Sequence, residues 1–459
     1  MLGRGAGFAK PARSPIRARR SIEPFEPEAS VSERDPESNP LRVPAFRRLL
    51  VGRVLGVLGR QILSVSVGWQ VYDRTRSAWA LGLIGLIQVL PVVALVVPAG
   101  MAADRFDRRR IAVITQVALA LLGLAMVEVT RSGSPIGWVF PVLLGCGCVT
   151  AFSAPAISSI TPNLVPPAAF VQANAWNATT FELSAIAGPA VAGALLAWSG
   201  PALAYGCVTA FALAFAVTLV GLPEIRAAEA AGGDADGGGV IRDRRAEIRA
   251  GFEFVRRSRF LLPAITLDLF AVLFGGVTAL LPIFARDILQ VGPTGLGWMR
   301  AAPSVGALSM ALLTTRLPPF RRPGRALMVA VMGFGAATIA FAFSRSFGWS
   351  LACLFLTGLF DNVSVVIRQT IMQVVTPDAL RGRVGAVHFV FIGLSNELGA
   401  FESGVTAALL GPIGSVLVGG VATFVVVAVV MKKWPELWPL GPLDRLEEEP
   451  GYAPSGAAT

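Results

Sequence analysis

Histidine occurs once in the 459 residues, at His388, and cysteine only four times. That inventory is too thin for a zinc or iron centre, which takes about four clustered imidazole or thiolate donors, so no metal is expected. Cys146, Cys148, Cys207 and Cys353 all fall within apolar runs, where a thiol packs as a small hydrophobe. Lysine stands only at positions 10, 432 and 433, so arginine supplies 37 of the 40 basic residues. Charged residues make up 15% of the chain, against about 25% in soluble domains, which excludes an ordinary soluble fold. No Gly-x-x-x-x-Gly-Lys-Ser/Thr loop occurs, so ATP does not drive work by this chain alone. A membrane-embedded enzyme, such as a lipid-modifying transferase, needs a nucleophile, metal or base cluster at the interface. One histidine and scattered acids provide none, and no cofactor is expected.

What is present is apolar length. The composition is 54% hydrophobic and the mean hydropathy is +0.64. Twelve runs reach roughly the 20 residues that cross a bilayer as helix: 46–72, 78–101, 108–130, 135–158, 170–198 and 200–221, then 260–286, 294–316, 325–344, 347–372, 383–408 and 412–434. This defines an all-α polytopic membrane protein whose partner is the lipid bilayer. The domains read as an N-terminal tail (1–45), a six-helix bundle (46–221), a linker (222–259), a second six-helix bundle (260–434) and a C-terminal tail (435–459). Residues 1–20 are Arg-rich, like a transit peptide, but no apolar segment follows and residues 22–40 turn acidic and Pro-rich. A disordered tail is expected there. Gly232 to Gly239 is a flexible linker, and Arg242 to Ser258 reads as an amphipathic helix on the membrane surface.

The formal charge of +11 does not imply nucleic acid, because the bases lie in loops between spans. Even-numbered loops and the central linker hold eighteen arginines, and odd-numbered loops hold five. The positive-inside rule then places both termini in the cytoplasm. The halves also repeat: Leu81-Gly82 matches Leu296-Gly297, and Arg110 matches Arg325, at an offset of 215. Gly188, Gly193 and Pro166 match Gly399, Gly404 and Pro377 at an offset of 211. Near-constant offsets point to a parallel six-plus-six duplication, an arrangement that puts a substrate site near midplane between the halves.

The second and third spans are joined by Gly100-Met101-Ala102-Ala103-Asp104-Arg105-Phe106-Asp107-Arg108-Arg109-Arg110. Gly100, Asp104, Arg105, Arg108, Arg109 and Arg110 can form a charged gate in which Asp104 favours a helix N-terminus. The arginines alone can equally be a topogenic basic loop. The fifth span carries Ser184-Ala185-Ile186-Ala187-Gly188-Pro189-Ala190-Val191-Ala192-Gly193, a run of small residues with a helix-bending proline. The first stretch resembles the loop between helices two and three of major facilitator superfamily transporters, with Asp107 where the family has glycine. The second resembles that superfamily's antiporter motif, with Ser184 and Ala192 in place of glycines. Gly68-Trp69-Gln70-Val71-Tyr72 and Thr376-Pro377-Asp378-Ala379-Leu380-Arg381-Gly382-Arg383 extend the resemblance to the enterobactin-exporter-like branch, over about residues 45–440. The resemblance implies a monomeric secondary transporter of the bacterial cytoplasmic membrane. It implies export of a small organic molecule, a siderophore or drug-like compound, against protons. An importer or facilitator is the rival within the class. Related antiporters carry an arginine within or at the end of the fourth span. This chain has Ile157 there, and the repeat counterpart is Arg368.

Ionisable side chains inside spans are costly and therefore candidates for function. The acids are Glu182, Asp268, Asp361, Glu397 and Glu402; the bases are Arg53, Arg60, Arg300 and Arg368. With Gln61, Gln88, Asn177 and Asn396 these acids and Arg368 make the candidate substrate and proton site. Arg53 and Arg368 are near enough to span ends to snorkel. Asp361 and Arg368, two turns apart, are expected to find partners on other helices. Asp268 and Glu397 lie deeper and can exchange protons during a cycle. Two roles fit His388, a proton relay or an interhelical hydrogen-bond donor. Trp69, Phe181, Phe270, Phe274 and Phe389 offer stacking surface or lipid packing.

Overall fold

The computed structural model describes residues 39–224, 249–318 and 320–441, and the side chains of Asp378, Ala379, Ala386, Phe389 and Val390 fall outside the described set. The tail over 1–38, the Gly-rich linker, Arg242 to Ile248 and the end of the chain therefore lie outside it too. Of the expected surface helix, residues 249–257 are helical. There Gly251 abuts the Arg383 backbone and Val255 joins the core of the second half.

The first half comprises α1 (Pro44–Thr75), α2 (Ala78–Arg105), α3 (Arg108–Arg131), α4 (Val139–Ser158), α5 (Phe170–Ser199) and α6 (Pro201–Val220). The second comprises α7 (Leu261–Ile288), α8 (Gly292–Thr314), α9 (Pro323–Ala342), α10 (Phe347–Val375) and the stretch Asp378–Lys433, which breaks at Gly411 into α11 and α12. Helix is the form these spans must take, because lipid offers the backbone no hydrogen-bond partner. Ten stretches are long and apolar enough to cross a membrane. One of them contains both α11 and α12, and α8 falls short because Arg300, glycines and prolines dilute it, so the long helices among the described residues number twelve.

Turn chemistry repeats along with the helices. Gly200 and Gly411 both sit at φ 75°, a conformation that glycine adopts without steric cost. Each is followed by a proline, Pro201 and Pro412, at the same offset of 211. Arg76 and Gln290 are the two non-glycine residues with positive φ among the described residues, each in the turn after the first helix of its half. Ser77 caps α2 through Ala80 N at 3.3 Å, and Asp107 caps α3 through Arg109 N at 2.9 Å, satisfying amide groups that a helix start leaves unpaired.

Successive helices reverse direction, so turns after odd-numbered helices gather at one end, the odd end, and the rest at the even end. The halves are fused at the odd end. One apolar cluster there draws Ile62, Tyr72, Leu81 and Leu196 from the first half and Leu280, Phe284, Leu296 and Phe341 from the second. Toward the even end the cores separate, one around Leu49, Ile157 and Phe215 and another around Leu267, Leu327 and Ile367. Two crossings join the halves, α2 with α11 and α5 with α8, and each is made by a pair of glycines. A Cβ on Gly82 would come 3.1 Å from Gly404 Cα, and one on Gly193 would come 3.0 Å from Gly297 Cα. Gly82, Gly193, Gly297 and Gly404, four of the glycines that mark the sequence repeat, are thus points where the two halves touch.

Candidate functional site

At the odd end, charges link the halves. Arg76 Nη1 lies 2.8 Å from Asp287 Oδ1, Tyr72 donates its hydroxyl proton to the same carboxylate, and Arg286 pairs with Asp73. The Arg286 guanidinium also lies 5.6 Å from the centroid of the Trp69 ring, a cation–π contact. The turn after α1 thus engages the turn after α7, its repeat counterpart. The four charged groups are part-exposed, between 26 and 51%, so each pair contributes at most about 1 kcal/mol, weak enough for this latch over the shared apolar cluster to open. Charge reversal by Arg286→Asp should widen the odd end, and the swap Asp73→Arg with Arg286→Asp should narrow it again. Pulsed electron-spin distances between labels at Arg131 and Arg345 check this; an unchanged distance in the single variant rules the latch out.

Halfway along the interface, Arg300 of α8 donates to Ser64 Oγ of α1 at 2.6 Å and to the Thr278 carbonyl at 3.1 Å. The carbonyl is available because Pro282, four residues on, has no N–H to bond it. Glu397 of α11 is near enough for its charge to act on Arg300. Glu182 lies on α5 eleven residues before Gly193, hence on the helix face that meets α8 but below the crossing. Gln61 packs its Cβ against Gly188, and Gln88 turns its amide to the Ile84 carbonyl at 3.4 Å; both are half-buried.

Within the second half, between α7 and α10, Arg368 pairs with Asp268 and donates to Ser364 Oγ at 3.4 Å. Arg368 is 2% exposed and Asp268 7%. Arg368 therefore does not snorkel: α10 runs on to Val375 and the guanidinium turns inward to α7. Asp361 feels the charges of both partners, and it lines a small cavity with Asp268, Ser364, Phe334 and Phe360. His388 is buried close to Arg368, and neither of its ring nitrogens has a hydrogen-bond partner among the described residues, so it is not the interhelical donor that was one expectation. Two carboxylates thus face one guanidinium.

Other expected site residues lie apart. Asn177 bonds Thr161 Oγ1 at 3.3 Å inside the first half. Asn396 is exposed and bonds its own helix at Ile392, 2.9 Å away. Glu402 accepts from Thr406 Oγ1 of its own helix at 2.7 Å. In the turn after α2, the carboxylate at a helix N-terminus is Asp107, not Asp104, which ends α2 and is exposed. Arg108 donates to the Ala103 carbonyl at 3.1 Å, Arg109 to the Val220 carbonyl at 2.5 Å, and Arg110 pairs with Glu224 at 3.1 Å; all three bonds stay within the first half. Gly100 is buried and Arg105 exposed. In the small-residue motif Ser184 bonds the Thr180 carbonyl at 2.7 Å. Gly188 meets α1, while Pro189 and Gly193 meet α8, and Ala192 is buried in the odd-end cluster. Of the aromatics, Trp69 serves the latch, Phe270 and Phe274 stack on each other at 6.2 Å, and Phe181 is exposed.

The latch and Gln70 escaped the sequence reading. Gln70 accepts from Tyr205 at 2.6 Å and donates to Thr130 at 3.0 Å, tying α1 to α6 and α3. The one available signal was the opposite charges at equivalent turns, Asp73 and Arg286.

Twelve helices in two repeated halves, fused at one end around a shared apolar cluster and carrying charged side chains within their spans, define a secondary transporter of the major facilitator class. The chain belongs to the family described as transmembrane secretion effectors, whose model matches residues 37–442. The enterobactin exporter of Shigella flexneri is 25% identical over 386 residues, covering 83% of this chain and 90% of the exporter. The corresponding exporter of Escherichia coli O157:H7 is 25% identical over 389 residues, with the same coverage. Among solved structures, an inward-facing, unoccupied bacterial homologue of the human lysosomal transporter Spinster matches with a TM-score of 0.69 at 15% identity, covering 87% of this chain and 99% of that one. A peptide transporter matches at 0.67 and 13%, covering 88% and 99%. This protein is a multi-pass membrane transporter of a small molecule.

Proposed function

We propose that the protein exports a small organic compound, siderophore or drug-like, across a bacterial cytoplasmic membrane in exchange for protons. The chain acts as a monomer by alternating access. The relatives named as enterobactin exporters support the direction of transport. The excess of arginine at the even end supports a cytoplasmic even end with both termini inside, and in that frame the latched state faces inward. The Asp104 to Arg110 turn then lies at the cytoplasmic gate.

The observation that carries proton coupling is the buried trio Asp268, Asp361 and Arg368. Its two acids and one base leave a negative charge that a buried site tolerates poorly, and a proton is the counter-charge that needs least room. Glu397, opposite Arg300 at the interface, is the second acid whose proton occupancy would report which way the cleft faces. The test is counterflow and efflux of a siderophore and drug panel in reconstituted vesicles under an imposed pH gradient. The double variant Asp268→Asn with Glu397→Gln should retain gradient-free counterflow and lose at least about tenfold of the gradient-driven rate, a loss of about 1.4 kcal/mol of coupling. Undiminished gradient-driven efflux by that variant removes these acids from the coupling path.

A further inference from the structure

We propose that Arg53 and Arg60 of α1 form an anion-recognising pair in the central cleft, so the transported compound is an organic anion carrying acidic groups. This rests on the transporter reading above and adds the chemical class of its substrate.

Arg53, Arg60 and Ser64 are spaced i, i+7 and i+11, which places them on one face of the helix. The direction of that face is known from two contacts. Ser64 accepts from Arg300 of the second half, and a Cβ on Gly68, one turn further along the same face, would meet Pro282 of α7 at 3.5 Å. The arginines therefore look across the interface, not toward lipid. Arg60 is the seventeenth of 32 residues in α1, close to midplane. It is solvent-accessible although protein surrounds it, as a side chain on a cleft wall must be. Arg53 is half-exposed on the even side of it, where the two cores have parted.

Neither guanidinium has an ion-pair or hydrogen-bond partner among the described residues, and the charge that acts on Arg60 is that of Arg53. The repeat explains the vacancy. Arg53 is the counterpart of Asp268 at an offset of 215, and Ile157 is the counterpart of Arg368 at 211. In the second half that pair of positions holds a closed ion pair. In the first the same two positions hold an arginine and an isoleucine, and the isoleucine is buried in the core. Two like charges in a span, each costly, remain uncompensated among the described residues. Arginine presents a rigid fork of donors that matches carboxylate and related oxyanions. Seven residues of helix separate the two forks by about 10 Å, so the ligand that engages both carries acidic groups about that far apart. Of the acids near the cleft, Glu397 answers Arg300, and Glu182 has no resolved interaction with either arginine.

Binding is measured by fluorescence anisotropy on the full chain in neutral micelles, with no gradient imposed, using carboxyfluorescein as the anionic probe and rhodamine 6G as the cationic probe of similar skeleton. The parent should prefer the anion. Arg53→Gln and Arg60→Gln should each weaken it about tenfold, the value of one charge-assisted contact, and flatten its salt dependence. Arg53→Lys and Arg60→Lys should retain most of the affinity. Thermal unfolding of every variant separates loss of the site from loss of the fold. A parental preference for rhodamine 6G, no anion binding, or equal anion binding by folded Gln variants overturns the proposal. The failure of the transporter reading looks different: the anion binds and the Gln variants weaken it, yet reconstituted vesicles move no compound.

Discussion

Replacing Arg368 with methionine should lower the stability of the second half by about 3–5 kcal/mol, the cost of removing one partner from a buried ion pair. The site is unforgiving for a stated reason. Arg368 is 2% exposed, and it is the base that Asp268 pairs with and that acts on Asp361. Its loss leaves two carboxylates facing each other in an apolar wall formed by Ala271, Val331 and Phe334. The control is the triple variant Arg368→Met with Asp268→Asn and Asp361→Asn, which removes all three charges. Removing every charge of a buried cluster leaves no unpaired ion behind, so the triple variant should melt closer to the parent temperature than the single variant, which melts well below it. Thermal unfolding in detergent, followed by tryptophan fluorescence, reads both. Equal melting of the parent and the single variant shows that Arg368 does not neutralise those acids. A triple variant that folds yet lacks gradient-driven efflux separates the structural role of the cluster from its proposed work with protons.

The fold was legible because lipid reduces the problem to length and apolarity. Every span from 46–72 to 412–434 corresponds to a helix. The run 294–316 is the least apolar of them, diluted by Arg300 and its glycines, and the match of Leu81-Gly82 with Leu296-Gly297 supports it as a span. Side-chain partners were another matter. Asp268 and Arg368 lie 100 residues apart, and sequence spacing within α10 could only show that Asp361 was not the direct mate. By sequence Arg368 reads as a snorkelling residue, because distance from the helix end is all that a sequence displays; the direction of its side chain is set by α7. Asp73, Arg76, Arg286 and Asp287 looked like ordinary loop charges, and only packing of two turns more than 200 residues apart turns them into a latch. Asn396 and Glu402 were grouped with the site by polarity, yet their bonds go to their own helix, which is how polar side chains in lipid are commonly satisfied.

The repeat glycines give the second large effect. Gly297→Leu should hold the odd end open and reduce transport to background while leaving each half folded. A Cβ at Gly297 would come 2.5 Å from the Pro189 carbonyl and 3.0 Å from Gly193 Cα. The obstacles are backbone atoms of α5, which cannot rotate aside as a side chain can, so α8 must retreat from α5. Overpacking of this kind costs about 1–3 kcal/mol, and here the cost falls only on the state in which the helices touch. At about 1.4 kcal/mol per decade, the closed population drops by a factor of about 5 to about 140, because a perturbation shifts a two-state equilibrium by its differential energy alone. The latch pairs, worth at most about 1 kcal/mol each at their exposure, are too weak to pull α8 back. The effect should be graded, with Gly297→Ala between the parent and Gly297→Leu. Gly404→Leu should reproduce it at the other crossing, where the same pseudo-symmetric contact joins α11 to α2. Spin-label distances between Arg131 and Arg345 should lengthen in step with the loss of transport. Parental transport by Gly297→Leu with an unchanged distance would show that the halves rock about some other seam, and the glycine repeat would then be a relic of duplication, not the contact on which the cycle turns.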